Sequence, residues 1–199
     1  IRPGVSSVGT GCDGDPTDIE DLTQAEITGR QKALRNVEWL RQHLPGFENC
    51  FVLGESPLGT RESRRIVGDY TLTEDDLRQG RRFDDVIGLN NIPIDKHLSG
   101  GGWSFELLNG PHDIPYRIML PHGFENLLVA GRSASADHVA QSSIRKTTAC
   151  MTMGQAAGTA AAMALRAGVP ARKVDIKELQ AKLSEQGAIL SQEQAPEYA

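Results

Sequence analysis

Apolar positions along this chain fall into blocks with different periods. In the first, Ile27, Leu34, Val37, Leu40 and Leu44 recur at helical spacing and form one apolar stripe. Thr23 with Glu26 makes a capping box ahead of that stripe, and Pro45-Gly46 stops it, so a packing helix is expected near 23–44. Phe51-Val52-Leu53 is a short apolar run, and Arg64 to Tyr70 reads as a strand. Thr73-Glu74-Asp75-Asp76 is the polar start of a short helix. From Phe83 to about Pro115 the chain is dense in Gly, Asn, Pro and His, with short strands expected around Val86-Ile87 and Trp103–Phe105.

The second half is more regular. Ile114 to Leu120 reads as an extended segment ended by Pro121, and Leu127-Leu128-Val129-Ala130 has the length of a buried strand, ended by Gly131. A polar loop follows. Thr147 to Ala167 is a long helix of mostly Ala, Gly, Thr and Met, closed by Gly168 and Pro170. A last helix starts at the cap Asp175, puts Ile176, Leu179 and Leu183 on one face, and ends near Gly187. The tail from Ser191 is expected to fray.

Composition narrows the class. The 199 residues are 39% hydrophobic, enough for one ordinary domain or two small ones. A net charge of -5 with acids and bases interspersed argues against nucleic acid as the partner. Three widely spaced cysteines, Cys12, Cys50 and Cys150, form no C-x-x-C pair, so neither a metal site nor a disulfide framework is expected. No run reaches the roughly 18 apolar residues of a membrane span. Ile1 stands where an initiator Met would, without a basic or apolar leader, so sequence upstream is expected. A cytoplasmic location is the favoured compartment.

Two segments look suited to a phosphate or cofactor. Gly9-Thr10-Gly11-Cys12-Asp13-Gly14 fits G-x-G-x-x-G, but that motif needs a strand leading in and a helix leading out. Here Asp15-Pro16-Thr17-Asp18 follows, and the carboxylates of Asp13 and Asp15 would repel phosphate, so a plain loop is the better reading. The second segment is the run into Gly131 together with the start of the Thr147 helix. Gly131 lets a ligand approach the backbone, and the first turn of the helix offers free N–H groups and a positive dipole end. Arg145 and Lys146 add positive charge. Small residues also let such a helix pack closely on a sheet.

At these residues a family resemblance emerges. Asn126 through Arg132, then Ser135-Ala136, His138, Ser143-Ile144-Arg145 and Gly154 through Ala161 resemble the C-terminal signature of the FAD-dependent oxidoreductases, many of them bacterial. Asp18 through Arg30, Pro45 through Asn49, Arg61 through Gly68, Ile92 through Asp95 and Ile114 through Arg117 fit in the same order. The resemblance implies an α/β fold. Residues 1–115 would form a substrate-side α+β region, and 116–190 a partial FAD-binding Rossmann-like domain contributing the closing strand and helix, with 191–199 a tail. It also implies FAD as cofactor, a small organic substrate, and flavin contacts from Gly131, Arg132, Ser143, Arg145, Thr147 and Thr148. The family opens with a strand, a G-x-G-x-x-G turn and a helix, which this chain lacks. That missing FAD-binding half would come from the same or another chain, and without it exposed sheet edges and self-association are expected. After His138 the family often has Glu where this chain has Val139.

Flavin redox chemistry needs a base or hydrogen-bonding group beside the substrate. His138, Tyr116, Arg117 and His97 are the catalytic candidates, His138 first because the resemblance puts it between the flavin turn and the last long helix; His112 is a further polar candidate. The plainer reading of His138 and His97 is a hydrogen-bonded structural histidine, and Arg117 can equally pair with an acid of its own chain. Arg61, Arg64 and Arg65 read as a solvated or ion-paired face. Ser133, Asp137 and His138 have the letters of a hydrolase triad, but adjacent Asp137 and His138 point to different sides and no nucleophile elbow is present. Two other classes remain open: an interaction subunit that complements a separate FAD-binding chain, and an inert α/β binding module.

Overall fold

In the computed structural model the first helix starts at an aspartate. Asp18 accepts hydrogen bonds from the N–H groups of Glu20 and Asp21, and helix α1 runs Ile19–His43. It begins earlier than the Thr23 capping box predicts, because Asp18 is the better-placed acceptor and Glu20 and Asp21 suit the positive end of the helix. Thr23 lies inside the helix and donates its hydroxyl back to the carbonyl of Ile19 at 2.8 Å. The described residues are 11–61, 63–98 and 102–194, excepting the side chains of 97, 98, 102 and 103. Gly9 and Thr10 of the glycine motif fall outside them, and Gly11 to Gly14 form irregular loop.

Contacts divide the chain into two units, residues through Ser63 with Leu98 and Gly102, and Arg64–His97 with Trp103 onward. In the first unit Ala25 is buried on α1 while Ile27 and Leu34 are exposed. Phe51 to Leu53 forms no regular element.

The second unit carries the core. Helix α2, Glu74–Arg78, is capped by Thr73 in a reciprocal box with Asp76. Strand β1, Val86–Asn90, pairs antiparallel with β4, His112–Pro115, while β2, Ile94–Leu98, pairs with β3, Gly102–Glu106. Helices α3 (His138–Ile144), α4 (Thr147–Ala167) and α5 (Ile176–Glu185) complete it. Helix α4 has the bounds its composition predicts, closed by Gly168 at φ 67°, and α5 starts after its predicted cap Asp175. Ala149, Met153, Ala156, Ala160 and Ala164 form the buried stripe of α4, joined in the core by Ile87, Ile114, Leu179 and Leu183.

Three expected strands take other forms. Arg64 to Tyr70 makes only an isolated bridge, Gly68 to Pro121, with single bonds such as Ile66 N–H to Ser133 O at 2.9 Å. Ile114 to Leu120 leaves the sheet after Pro115 and winds into a 3-10 turn, Tyr116–Met119. Asp85 causes this: its carbonyl accepts from Tyr116 N–H at 2.8 Å and its carboxylate from Arg117 N–H at 2.9 Å, the groups a strand neighbour would need. Leu127 to Ala130 is neither a strand nor buried; Leu127 and Ala130 are exposed, and Val129 N–H to Met119 O is its one backbone bond among the described residues. An apolar run becomes a ladder strand only when a partner backbone lies alongside. The described fold is therefore mixed helix with small antiparallel sheets.

The tightest packing lies where β1 crosses α4. A Cβ on Gly88 would come within 2.3 Å of Thr152 Cγ2, and a threonine in a helix has few rotamers with which to yield. Gly88→Ala is expected to cost about 1–3 kcal/mol in denaturant unfolding. Thr152→Ser, which removes the opposing methyl, should recover most of that loss in the double variant.

Candidate functional site

Helices α3 and α4 meet at a corner only two residues wide, Arg145 and Lys146. Asp137 starts α3 by accepting from Ala140 N–H at 2.7 Å, and its second oxygen accepts from Glu74 N–H at 2.7 Å, which ties α3 to α2. The end of α3 and the corner are fastened to the segment Ile92–Asp95. Ser142 Oγ accepts from Asp95 N–H at 3.2 Å, and Ser143 Oγ donates to Ile92 O at 2.6 Å. Arg145 Nη2 donates to Asp95 O at 2.8 Å, and the Lys146 ammonium pairs with the Asp95 carboxylate. Ser142, Ser143, Arg145 and Asp95 are all buried, so these bonds replace water that cannot reach them.

This fastening presents the first turn of α4. Lys146 makes no side-chain cap bond, and Thr147 and Thr148 are exposed, so the positive dipole end of the helix lies at the surface. Gly131 lies beside that turn. It opens a short 3-10 turn, Gly131–Ser133, at φ 86°, and a Cβ there would sit 3.9 Å from Cys150 Sγ. The backbone angle, not lack of room, therefore calls for glycine. Arg132 is exposed, and its charge opposes the upward push that burial gives the Cys150 thiol. Gln141 Nε2 reaches Arg132 O at 3.4 Å and holds the turn against α3.

The remaining predicted residues are spread over the unit. His138 is the first residue of α3 and is exposed. Tyr116 is buried, donates its hydroxyl to Ala171 O at 2.9 Å, and has its pKa pushed up to about 12 by burial. Arg117 holds Asp85 through Nε and Nη2, each at 3.0 Å, and reaches Asp84 at 3.2 Å, which is the pairing with its own chain that the sequence left open. His97 lies on β2, and its side chain is outside the described set. His112 is buried beside Asn90 and Ser143. Sequence reasoning missed Asn90 and gave Asp95 no role, although a polar residue closing the apolar run Val86–Leu89 was a visible signal.

No group of three or more His, Cys, Asp or Glu among the described residues is arranged to hold a metal, and the cysteines are free. Among those residues no helix is long and apolar enough to cross a membrane. A hollow of about 160 Å³ between the end of α2 and Asn109–Pro111 is lined by Arg78 and Arg82. Both are already neutralised, Arg78 by Glu74 and Glu106, and Arg82 by Asp113.

An exposed helix N-terminus flanked by a glycine–arginine turn is a frame suited to an anionic or electron-rich cofactor edge. Comparison with protein families identifies the class: the chain belongs to the FAD dependent oxidoreductase family, whose model matches residues 2–183. No curated protein and no solved structure matches it. Membership makes FAD the cofactor and gives the chain a flavin-linked redox role. The donors around the first turn of α4 fit that group, since an uncapped N-terminus and Arg132 supply N–H bonds and positive charge.

Tyr116 is expected to behave as a scaffold residue. Tyr116→Phe should lower unfolding free energy by about 1 kcal/mol through the lost bond to Ala171. Because its acidity is weakened in the folded state, wild-type stability should fall as pH rises from about 10, where the unfolded tyrosine ionises, to about 12, and the phenylalanine variant should lack that component.

Proposed function

We propose that this chain is the C-terminal part of a flavin-binding oxidoreductase acting on a small organic substrate, with the first turn of α4 and the Gly131–Arg132 turn facing the flavin. The observation that carries the reading is the surface-exposed, uncapped start of α4 beside an exposed arginine. Gly131, Arg132, Thr147 and Thr148 would hold the cofactor. Ser143 and Arg145, both buried, act behind that turn by fixing its direction. Bound FAD supplies two-electron redox chemistry, and negative charge that develops on reduction is stabilised by a helix N-terminus.

His138 is the leading candidate to move a proton at the substrate, being exposed at the start of α3 with Asp137 fixing that helix end. His97 on β2 is a second candidate. Tyr116 and Arg117 serve the substrate side through the framework they hold, Arg117 by the Asp85 pair. In this reading 1–115 is the substrate side and 116–190 the closing part of a Rossmann-like domain, with Leu127–Ala130 gaining strand partners from the FAD-binding half.

A second reading, an interaction subunit that packs on a separate FAD-binding chain, is favoured by the outer face of α4. Met151 and Leu165 are 68% and 84% exposed there, and Gly154 and Gly158 have open space where side chains would stand.

The test is the visible spectrum of the protein expressed with whatever its gene encodes upstream. Flavin bands that survive desalting and bleach on reduction are expected, and Arg132→Met should weaken flavin binding about tenfold. A colourless protein that takes up no added FAD overturns the first reading. Flavin acquired only with a stoichiometric second chain supports the interaction subunit.

A further inference from the structure

The buried polar residues behind the α3–α4 corner form a directed chain of hydrogen bonds. His112 Nδ1 lies 3.2 Å from Asp113 O, and Ser143 Oγ lies 2.6 Å from Ile92 O. Both carbonyls can only accept, so the imidazole carries its proton on Nδ1 and the serine hydroxyl points at Ile92. Asn90 Nδ2 stands between them, 3.1 Å from His112 Nε2 and 2.8 Å from Ser143 Oγ. With the serine proton already committed, Asn90 must donate to both. Turning its amide over would set Oδ1 against the lone pairs of Ser143.

The neutral Nδ1–H form of His112 satisfies every bond of the chain. A second proton on Nε2 would face the Asn90 amino group at 3.1 Å, donor against donor, with only the long 3.5 Å contact to Ser143 Oγ left to accept it. Relief by an amide flip would force the Ser143 proton away from Ile92. Asn90, His112 and Ser143 are 4%, 1% and 0% exposed, leaving no room for water to mediate the conflict.

We propose that His112 and Asn90 are positioning residues: through Ser143 they fix the direction in which the first turn of α4 presents its N–H groups, and protonation of His112 releases that turn. Ser143 is in the last turn of α3, immediately ahead of the corner. The other fastenings, from Ser142, Arg145 and Lys146 to Asp95, remain when Ser143 lets go, so the result is local loosening and not unfolding. The charges acting on the ring are Asp113 on its own strand and Asp76 on α2, while β1 and α3 present the neutral Asn90 and Ser143. Both carboxylates favour the protonated ring, and burial outweighs them, holding His112 below the usual imidazole range. The folded state thus resists the proton that the unfolded state accepts near pH 6.5. Stability is full above that pH and falls as pH drops toward the folded value.

Amide hydrogen exchange on the full chain, corrected for intrinsic rates, tests this. Exchange over residues 144–151 should rise about tenfold or more between pH 7.5 and pH 5, with α5 unchanged. Ser143→Ala and Asn90→Leu should show the fast exchange already at pH 7.5 and no further step. His112→Gln, which keeps an acceptor for Asn90, should retain slow exchange and lose the pH step. An equal rise in α5, or a pH step that persists in His112→Gln, would overturn the proposal. Should the variants not fold, the wild type decides by ring ¹⁵N shifts: a protonated Nε2 at neutral pH refutes the bond directions. The link to cofactor direction rests on the flavin reading and has its own measurement, the flavin midpoint potential in Ser143→Ala. A shifted potential supports it; released exchange with an unchanged potential keeps the hydrogen-bond chain and removes its link to the flavin.

Discussion

The fastening of residues 142–146 onto Ile92–Asp95 is the constraint on which the candidate site depends. A buried guanidinium and a buried carboxylate are tolerable only when each has partners, because leaving one without them costs several kcal/mol. Asp95 meets this demand in three ways at once, through its N–H to Ser142, its carbonyl to Arg145 and its carboxylate to Lys146. A single residue on a short strand thereby determines where one helix stops and the next begins. The first turn of α4 inherits its direction from that junction.

Behind the junction, α4 is held by packing. Its buried stripe is mostly alanine, which brings the helix axis close to β1, and at Gly88 the approach excludes even a methyl group. Close approach increases dispersion contact per residue but leaves little freedom to shift. The polar junction at one end and the alanine stripe along the length thus act together. One sets the direction of the helix start, and the other prevents the helix from sliding to accommodate an alternative.

Much of this was legible. Helix α4 was readable because Gly168 and Pro170 mark its end and small residues run unbroken from Thr147. Asp175 and Thr73 announced their helices because capping depends on neighbours in sequence. Strands were less readable. Leu127 to Ala130 has a strand's composition, but a ladder is a property of two segments, and one segment cannot reveal whether the other is present. Helix α3 was hidden in what reads as a polar loop, since Gln141, Ser142 and Ser143 are buried there beside Ala140 and Ile144, and Ser142 and Ser143 find partners distant in the chain. The charge at the site was misjudged for the same reason. Arg145 and Lys146 read as positive charge offered to a ligand, yet both bind Asp95, while Arg132 beside the turn is exposed.

The outer face of α4 is the part of the helix that this interior does not account for. Gly154 and Gly158 stand inside a helix, where each glycine costs about 1 kcal/mol relative to alanine. Apart from the adjoining residues and backbone of the helix itself, no described atom comes within 4 Å of where their Cβ atoms would be, so the interior of this chain does not use the room they leave. Glycines spaced four apart on a helix let a second backbone come near, and the exposed Met151 and Leu165 lie on the same helix among them. Unlike the alanine stripe, which is explained by β1, this face has no explanation within the described residues. It is accounted for if another backbone lies against it, and in either reading that backbone belongs to an FAD-binding half, in the same or a separate chain, the same partner that would turn Leu127–Ala130 into a strand. The two features then have one cause, which makes them stronger support together than either is alone.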